Sequence, residues 1–271
     1  MEDSQVVAIL VLIKQVPIPR EMKTSEEGFM ARTGVRSMIN PYCKHALEEA
    51  LKFRDKAGGT VTVLTMGPRS FEQSIHESLS LGADEAYLLS DRRLAGSDTM
   101  VTARALSMAI KKIGTFDMIF AGVQTIDGDT GHVGPEVAER LDFDQVTYIT
   151  RIEPREGGIT AWRLVEYGVE VVETSYPVLV TVTKYANVPR GPSLRHAMRA
   201  RKYRINQLTI DDIGMTAGEV GKSGSPTIVS NVTRVNYERP PCKIIEGPSP
   251  EVKVTNFLSE LLKEPAAMEE V

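Results

Sequence analysis

Cysteine is scarce: Cys43 and Cys242 are the two in 271 residues. Far apart in sequence, they form neither a metal-ligand spacing nor a CxxC redox pair, and so sparse a thiol content suits a reducing, cytoplasmic compartment. Basic charge is not in excess either. A formal net charge of -4 removes any global electrostatic case for nucleic acid or for an anionic membrane surface. Long hydrophobic runs are missing. The strongest apolar stretch, Val6–Ile13, falls well short of the ~20 residues a membrane helix needs. Glu2 and Asp3 precede it and Lys14 closes it, the wrong charge order for a signal peptide. No Ser-His-Asp or paired-carboxylate constellation stands out. These absences imply a cytoplasmic protein with no direct membrane insertion.

What is present is an ordinary soluble composition, 42% hydrophobic and 25% charged, with core material for one large α/β domain plus an appendage. Val6–Ile13 reads as a strand buried on both faces, because its apolar run is continuous rather than alternating. A loop containing Pro17 and Pro19 then runs to Ile39. Asn40-Pro41 reads as a helix start, with Asn40 as N-cap and Pro41 at the first helical position. That helix stops at Gly58-Gly59. Thr60–Thr65 is a strand, Gly67-Pro68 turns into a helix ended by Gly82, and Ala86–Leu89 is a strand. Asp98 caps a helix from Thr99 to Ile113, and Asp117–Ala121 is the next strand. Such alternation predicts a parallel sheet with helices on both faces. After Leu141 the pattern changes. Val146–Ile152, Ile159–Val165, Val169–Glu173 and Val178–Thr183 read as strands that add antiparallel pairs. The segment from Gly214 to Pro250 reads as an extended arm, and Val254, Phe257, Leu258, Leu261 and Leu262 fall on one stripe of a terminal helix.

The most informative segment is AGVQTIDGDTGHVGPEVAERL, Ala121 to Leu141. A buried strand enters a loop with Gly128, Gly131 and Gly134 at every third position, and a helix is predicted to open at Pro135. In a parallel α/β sheet this is the carboxyl edge, where ligands bind. Glycines let backbone amides approach a ligand, and a helix start offers unpaired N–H groups. The helix dipole supplies roughly 0.3–1 kcal/mol, and each hydrogen bond to a charged group about 1.5–3 kcal/mol. Converging amides would therefore carry most of the affinity for a phosphate, with Thr130 adding a hydroxyl. The loop lacks the lysine of a GxxxxGK[ST] sequence. Asp127 and Asp129 would repel a phosphate if they faced it; they read instead as accepting loop amides or a ribose hydroxyl. The residues alone reach an adenine-nucleotide-like ligand, or an ordinary glycine-rich turn, and leave both open.

QTIDGDTGHVGPEVAERL is similar to the signature of electron transfer flavoprotein β subunits and the related Fix proteins. VLIKQVP, SMINPYCKHALEEAL, LTMGP, LGADEAYLL and SLRHAMRARKYRI match that family in order, over roughly residues 6 to 214. The resemblance implies a Rossmann-like α/β fold of the adenine-nucleotide α-hydrolase type and an α-subunit partner carrying FAD. It implies AMP in the β subunit of single-path members, or a second FAD in electron-bifurcating, FixA-like members that oxidise NADH. Gly128 and Thr130 stand where single-path members carry further acidic residues, so the resemblance favours FAD over AMP. Carried over position by position, the nucleotide contacts are Leu12 and Lys14; Asn40, Pro41, Tyr42 and Cys43; Met66 and Gly67; Asp98 and Thr99. The loop adds Gly122, Val123, Gln124, Thr125, Ile126, Asp127, Gly128, Asp129, Thr130, Gly131, His132, Val133 and Gly134. Plainer readings stand beside some of these. Lys14 is a solvated strand end, Asn40 a helix cap, Cys43 a small buried residue, Met66 core packing and His132 an exposed loop residue.

Arg190, Arg195, Arg199, Arg201, Lys202 and Arg204 cluster around Leu194 and Met198, with no aromatic ladder for bases. A solvated face is the plain reading. The resemblance implies partner recognition by Leu194, Arg195, Met198 and Arg199. The expected redox partners are a ferredoxin or flavodoxin and a dehydrogenase or quinone oxidoreductase, which would keep the protein cytoplasmic or peripheral to a membrane through a complex. The expected division is residues 1–190 for the nucleotide/flavin-binding domain and 191–271 for the recognition segment and an arm that docks on the α subunit. A universal-stress-type nucleotide-binding regulator is the alternative of another class; the sequence beyond Leu141 argues against it.

Overall fold

The structure, a computed structural model, describes residues 6–18, 23–24, 30–31, 36–229 and 241–262. The chain divides into two compact units, Met1–Val232 and Thr233–Val271.

The first unit is built on a sheet of nine strands. Its core strands are β1 (Val7–Leu12), β6 (Gly59–Met66), β7 (Glu85–Leu89), β8 (Met118–Gly122) and β12 (Val178–Val182). β9 (Asp144–Arg155), β10 (Gly158–Val165), β11 (Gly168–Ser175) and β13 (Asn206–Leu208) complete it. The order is β11-β10-β9-β12-β8-β1-β6-β7-β13. Small antiparallel pairs are formed by β2 (Gln15–Pro17) with β5 (Ser37–Ile39) and by β3 (Lys23–Thr24) with β4 (Met30–Ala31).

β1 shows why the sheet is central. Ile9 and Val11 pack into one apolar cluster, Leu10 and Leu12 into the other. Successive side chains of a strand point to opposite faces, so an unbroken apolar run needs a cover on both. α1 (Pro41–Ala57) and α2 (Glu72–Leu81) supply the first cover, with Ala200 of α5 (Leu194–Lys202). α3 (Thr99–Ile113) and α4 (Val133–Leu141) supply the second. The mostly parallel α/β architecture expected from the alternation is therefore present.

Four local expectations are corrected. The Pro17–Ile39 loop is not wholly irregular, since Gln15–Pro17 pairs with Ser37–Ile39. α4 opens at Val133 rather than Pro135, because Pro is tolerated anywhere in a first turn whose amides lack partners. Of the later strands, β9, β10 and β11 are antiparallel, but β12 runs parallel to both β9 and β8 and fills the centre of the sheet. VLVTV is buried along its whole length, as an internal parallel strand requires. Finally, the arm begins later than Gly214. A 3-10 turn at Ala217–Glu219 and the short α6 (Gly221–Gly224) pack within the first unit, with Val220 in its core. Of the arm, residues 230–240 lie outside the described residues.

In the second unit, α7 (Pro250–Leu261) is capped by the Ser249 hydroxyl, which accepts from the Val252 amide. The apolar stripe is real, and Val254, Phe257, Leu258, Leu261 and Leu262 are all exposed. No helix among the described residues is long and apolar enough to cross a membrane.

Candidate functional site

The strand order fixes where a ligand can sit. From β1 the chain steps outward one way through β6 and β7, then returns to the other side of β1 with β8 and β12. The winding reverses between β1 and β8, and open parallel sheets bind ligands at the carboxyl side of that reversal. Register places Leu12 beside Ala121, and Val182 beside Gly122. Leu12, Met66 and Gly122 thus end three adjacent strands on one edge.

The loop after β8 is tied down on three sides. The Val123 amide donates to the Val182 carbonyl at 3.1 Å. The Asn40 side chain reaches across from the start of α1. Its Nδ2 donates to the Gln124 carbonyl at 2.8 Å, and its Oδ1 accepts from the Ile126 amide at 3.2 Å. Asn40 precedes the helix as expected but makes no side-chain cap bond. Pro41 at N1 removes one orphan amide, and the carboxamide, fully buried, is spent on the loop instead. The third tie is Lys14, whose Nζ lies 2.8 Å from Asp127 Oδ1. The Asp127 side chain is 2% exposed. Lys14 is therefore no free strand end, and Asp127 does not present an uncompensated charge.

Asp129 is handled differently. It takes a left-handed backbone, φ 54°, and accepts from Gln124 Nε2 at 2.5 Å. Gly131 follows at φ 68°, where a side chain would be strained. Gly122 is needed for another reason: a Cβ there would stand 2.8 Å from the Tyr42 carbonyl carbon and 2.9 Å from the Cys43 amide. The first turn of α1 thus rests directly on the end of β8.

Asp127 is engaged inside the chain, whereas Gly128, Asp129, Thr130 and His132 are exposed, and Thr125, Gly131 and Val133 are half-buried. The start of α4 lies immediately behind, with Gly134 buried against the Thr181 methyl. First-turn amides have no intrahelical acceptor and carry the positive end of the dipole. Such a set can hold an anion.

The remaining expected contacts are also placed. Cys43 is buried, accepts from Asn40 Nδ2 at 3.3 Å, and has its pKa raised by that burial, which makes it an inert thiol. Met66 packs against the cluster under α3 and α4. The Gly67 amide donates to the Leu89 carbonyl at 3.0 Å. Asp98 caps α3 by accepting from the Val101 amide at 3.0 Å, and its other oxygen takes the Thr227 amide and hydroxyl. Thr99 Oγ1 donates to Glu136 Oε1 at 3.1 Å, which links the starts of α3 and α4. Glu136 was not singled out from the sequence. Its Oε2 is buried without a hydrogen-bond partner among the described residues, and its one sequence signal was an acidic residue in a first helical turn.

The residues expected to recognise a partner fall together on α5. Leu194 is 80% exposed and Met198 57%; Arg195 is also exposed, while Arg199 donates to the Ala83 carbonyl.

Comparison with known proteins gives the family. The electron transfer flavoprotein domain model matches residues 28–213. An electron transfer flavoprotein subunit beta from Thermoanaerobacterium thermosaccharolyticum is 48% identical over 233 residues, 85% of this chain and 89% of the relative. The chain belongs to the electron transfer flavoprotein β subunit family. A subunit of the same name from Clostridium acetobutylicum is 44% identical, covering 82% of this chain and 85% of its own. Protein FixA from Sinorhizobium fredii is 45% identical, with 83% and 82% covered. As a family member the chain is an electron-transfer subunit that works with an α subunit and redox partners, and the universal-stress-type alternative falls away.

Proposed function

We propose that this β subunit holds FAD at the carboxyl edge between β1 and β8 and serves an electron-bifurcating flavoprotein. The observation that carries the reading is the pairing of Asp127 with Lys14, which removes one of the loop's two acidic charges from the ligand side. Asp129, exposed beside Gly128, Thr130 and His132, is turned to one side by the hydrogen bond from Gln124. Nothing acidic rims the loop at positions 128 and 130, and Gly128 has open space around it, with Thr125 Oγ1 at 3.7 Å from the place of a Cβ. A diphosphate is favoured by amides without acidic side chains at positions 128 and 130, and a dinucleotide longer than AMP needs the room.

The residues divide the work. Gly122, Gly131 and the first turn of α4 bring amides toward phosphate, and Asn40 keeps the loop in the one shape that does so. Lys14 offsets Asp127 and keeps it turned inward. When bound, FAD would supply the acceptor for hydride from NADH and pass electrons both to the α-subunit FAD and to a low-potential ferredoxin or flavodoxin. α5 would meet the redox partners, among them a dehydrogenase or quinone oxidoreductase, through Leu194 and Met198 inside a rim of Arg195 and Arg199. Rim charges speed encounter, and a small apolar knob gives a reversible grip. The exposed stripe of α7 would be covered by the α subunit.

Cofactor content of the co-purified heterodimer tests the reading. Acid-released nucleotide should be FAD alone, at two per dimer. One FAD with one AMP would overturn it in favour of single-path transfer.

A further inference from the structure

α5 is poorly anchored by apolar contact. Ala200 is its one buried residue among the described residues, and a helix of nine residues is too short to persist by propensity alone. Yet its position is tied to the sheet by a chain of fixed charges. The segment between β12 and α5 passes over α1, where Arg190 grips Glu48. Its backbone amide and Nε both donate to Glu48 Oε2, at 3.0 and 2.8 Å, and Nη2 donates to Oε1 at 3.2 Å. Glu48 is 6% exposed, so its carboxylate is shielded from solvent, while the Arg190 side chain is partly exposed. Nη2 also reaches Asp55 Oδ2 at 3.0 Å. Asp55 contacts Arg54 at 2.9 Å, Arg54 contacts Asp84 at 3.0 Å, and Asp84 lies 3.8 Å from Arg199 on α5 itself. Beside this chain, Asn187 Nδ2 donates to the His45 carbonyl and to Glu49.

We propose that Arg190 is a positioning residue for redox-partner docking: its grip on Glu48 and Asp55 sets the place from which α5 presents Leu194 and Met198. Bidentate guanidinium–carboxylate geometry fixes angle as well as distance, which apolar packing of a single alanine does not. The outer members of the chain are solvent-exposed and screened by salt, whereas the Glu48 contact is sheltered. α5 also has direct ties, from Arg199 to the Ala83 carbonyl, from His76 Nδ1 to the Ala200 carbonyl at 3.0 Å and from the Ser193 amide to the Ser80 carbonyl at 3.3 Å; the Glu48 clamp is the sheltered charged contact that leads the chain into them. This rests on α5 being the docking helix, and the two claims fail separately.

Hydrogen exchange of the full heterodimer tests it, comparing wild type with Arg190→Gln and Arg190→Lys. In Arg190→Gln, amides of 194–202 should exchange about tenfold faster or more, as loss of a charged hydrogen-bond pair implies, while β1 and β8 amides are unchanged. Arg190→Lys should restore part of the protection, since one ammonium reaches Glu48 without the fork. Salt is the discriminating readout. Raising ionic strength should quicken α5 exchange modestly in wild type and leave the already released helix of Arg190→Gln unaffected. Equal α5 protection in all three proteins would overturn the proposal. Loss of protection across the whole sheet would make the Arg190 substitutions uninformative about α5 alone, and Glu48→Gln, which keeps an acceptor for Arg190, then decides: release of α5 alone supports the proposal, and release of the whole sheet or of nothing overturns it. A Leu194→Ala protein that reduces protein acceptors normally would sink the docking reading and leave the clamp intact.

Discussion

Asn40→Asp separates two roles that one residue can play at a helix start. Asparagine and aspartate are equally good N-caps. A capping role therefore predicts a neutral substitution. The structure assigns a different role, in which Nδ2 donates to the Gln124 carbonyl at 2.8 Å and Oδ1 accepts from the Ile126 amide at 3.2 Å. Aspartate keeps the second bond and loses the first. A neutral hydrogen bond contributes about 0.5–1.5 kcal/mol, and a buried carbonyl left facing another acceptor costs about 1–3 kcal/mol. Asn40 is fully buried, so water cannot make good the loss. The sum is about 2–4 kcal/mol against the ordered loop, or roughly 30- to 1000-fold in its population. Titration with AMP and with FAD, followed by calorimetry, should show an affinity reduced on that order. The loss should ease as pH falls, because the introduced carboxyl, once protonated, again offers a donor to the Gln124 carbonyl. Binding within threefold of wild type, with an unchanged pH profile, would refute the loop-bridging role.

Gly122→Ala should cost about 1–3 kcal/mol of stability, since its Cβ would meet α1 backbone at 2.8 Å; urea denaturation measures this, and an unchanged midpoint would contradict the close approach. Asp91 has its pKa lowered to about 2, chiefly by hydrogen bonds from Arg93. A carboxyl depressed in the folded state stabilises above its unfolded pKa near 4, and that contribution is lost as pH falls from about 4 to about 2. Asp91→Asn should therefore flatten the acid limb of a thermal-melt series in that window, and an identical acid limb would argue against the pairing. Cys43, buried and with a raised pKa, should resist iodoacetamide at pH 8 in the native protein while the exposed Cys242 reacts; mass spectrometry finding label on native Cys43 would contradict its burial.

Much of the site was legible in the chain because its signals are local. Glycines at 128, 131 and 134, a strand before them and a helix that opens among them are a short-range pattern. So is the cap at Asp98, where side chain and accepted amide are three residues apart. The neutralisation of Asp127 was not legible, for its partner Lys14 is 113 residues away. Nor was the redirection of Asn40, since a side chain fit to cap a helix is equally fit to bridge to Gln124, 84 residues on. Glu136 left too faint a trace in a first helical turn to be told from ordinary dipole chemistry.

The sequence by itself determined the alternation of strand and helix, and with it a mostly parallel sheet buried on both faces. Hydrophobic period is written residue by residue, and an unbroken apolar run such as AILVL admits few other fates. Tertiary structure alone decided the order of the strands, the insertion of β12 between β9 and β8, and the pairing of Asp127 with Lys14. Those follow from packing and charge complementarity summed over distant segments, and no local stretch of chain contains that sum.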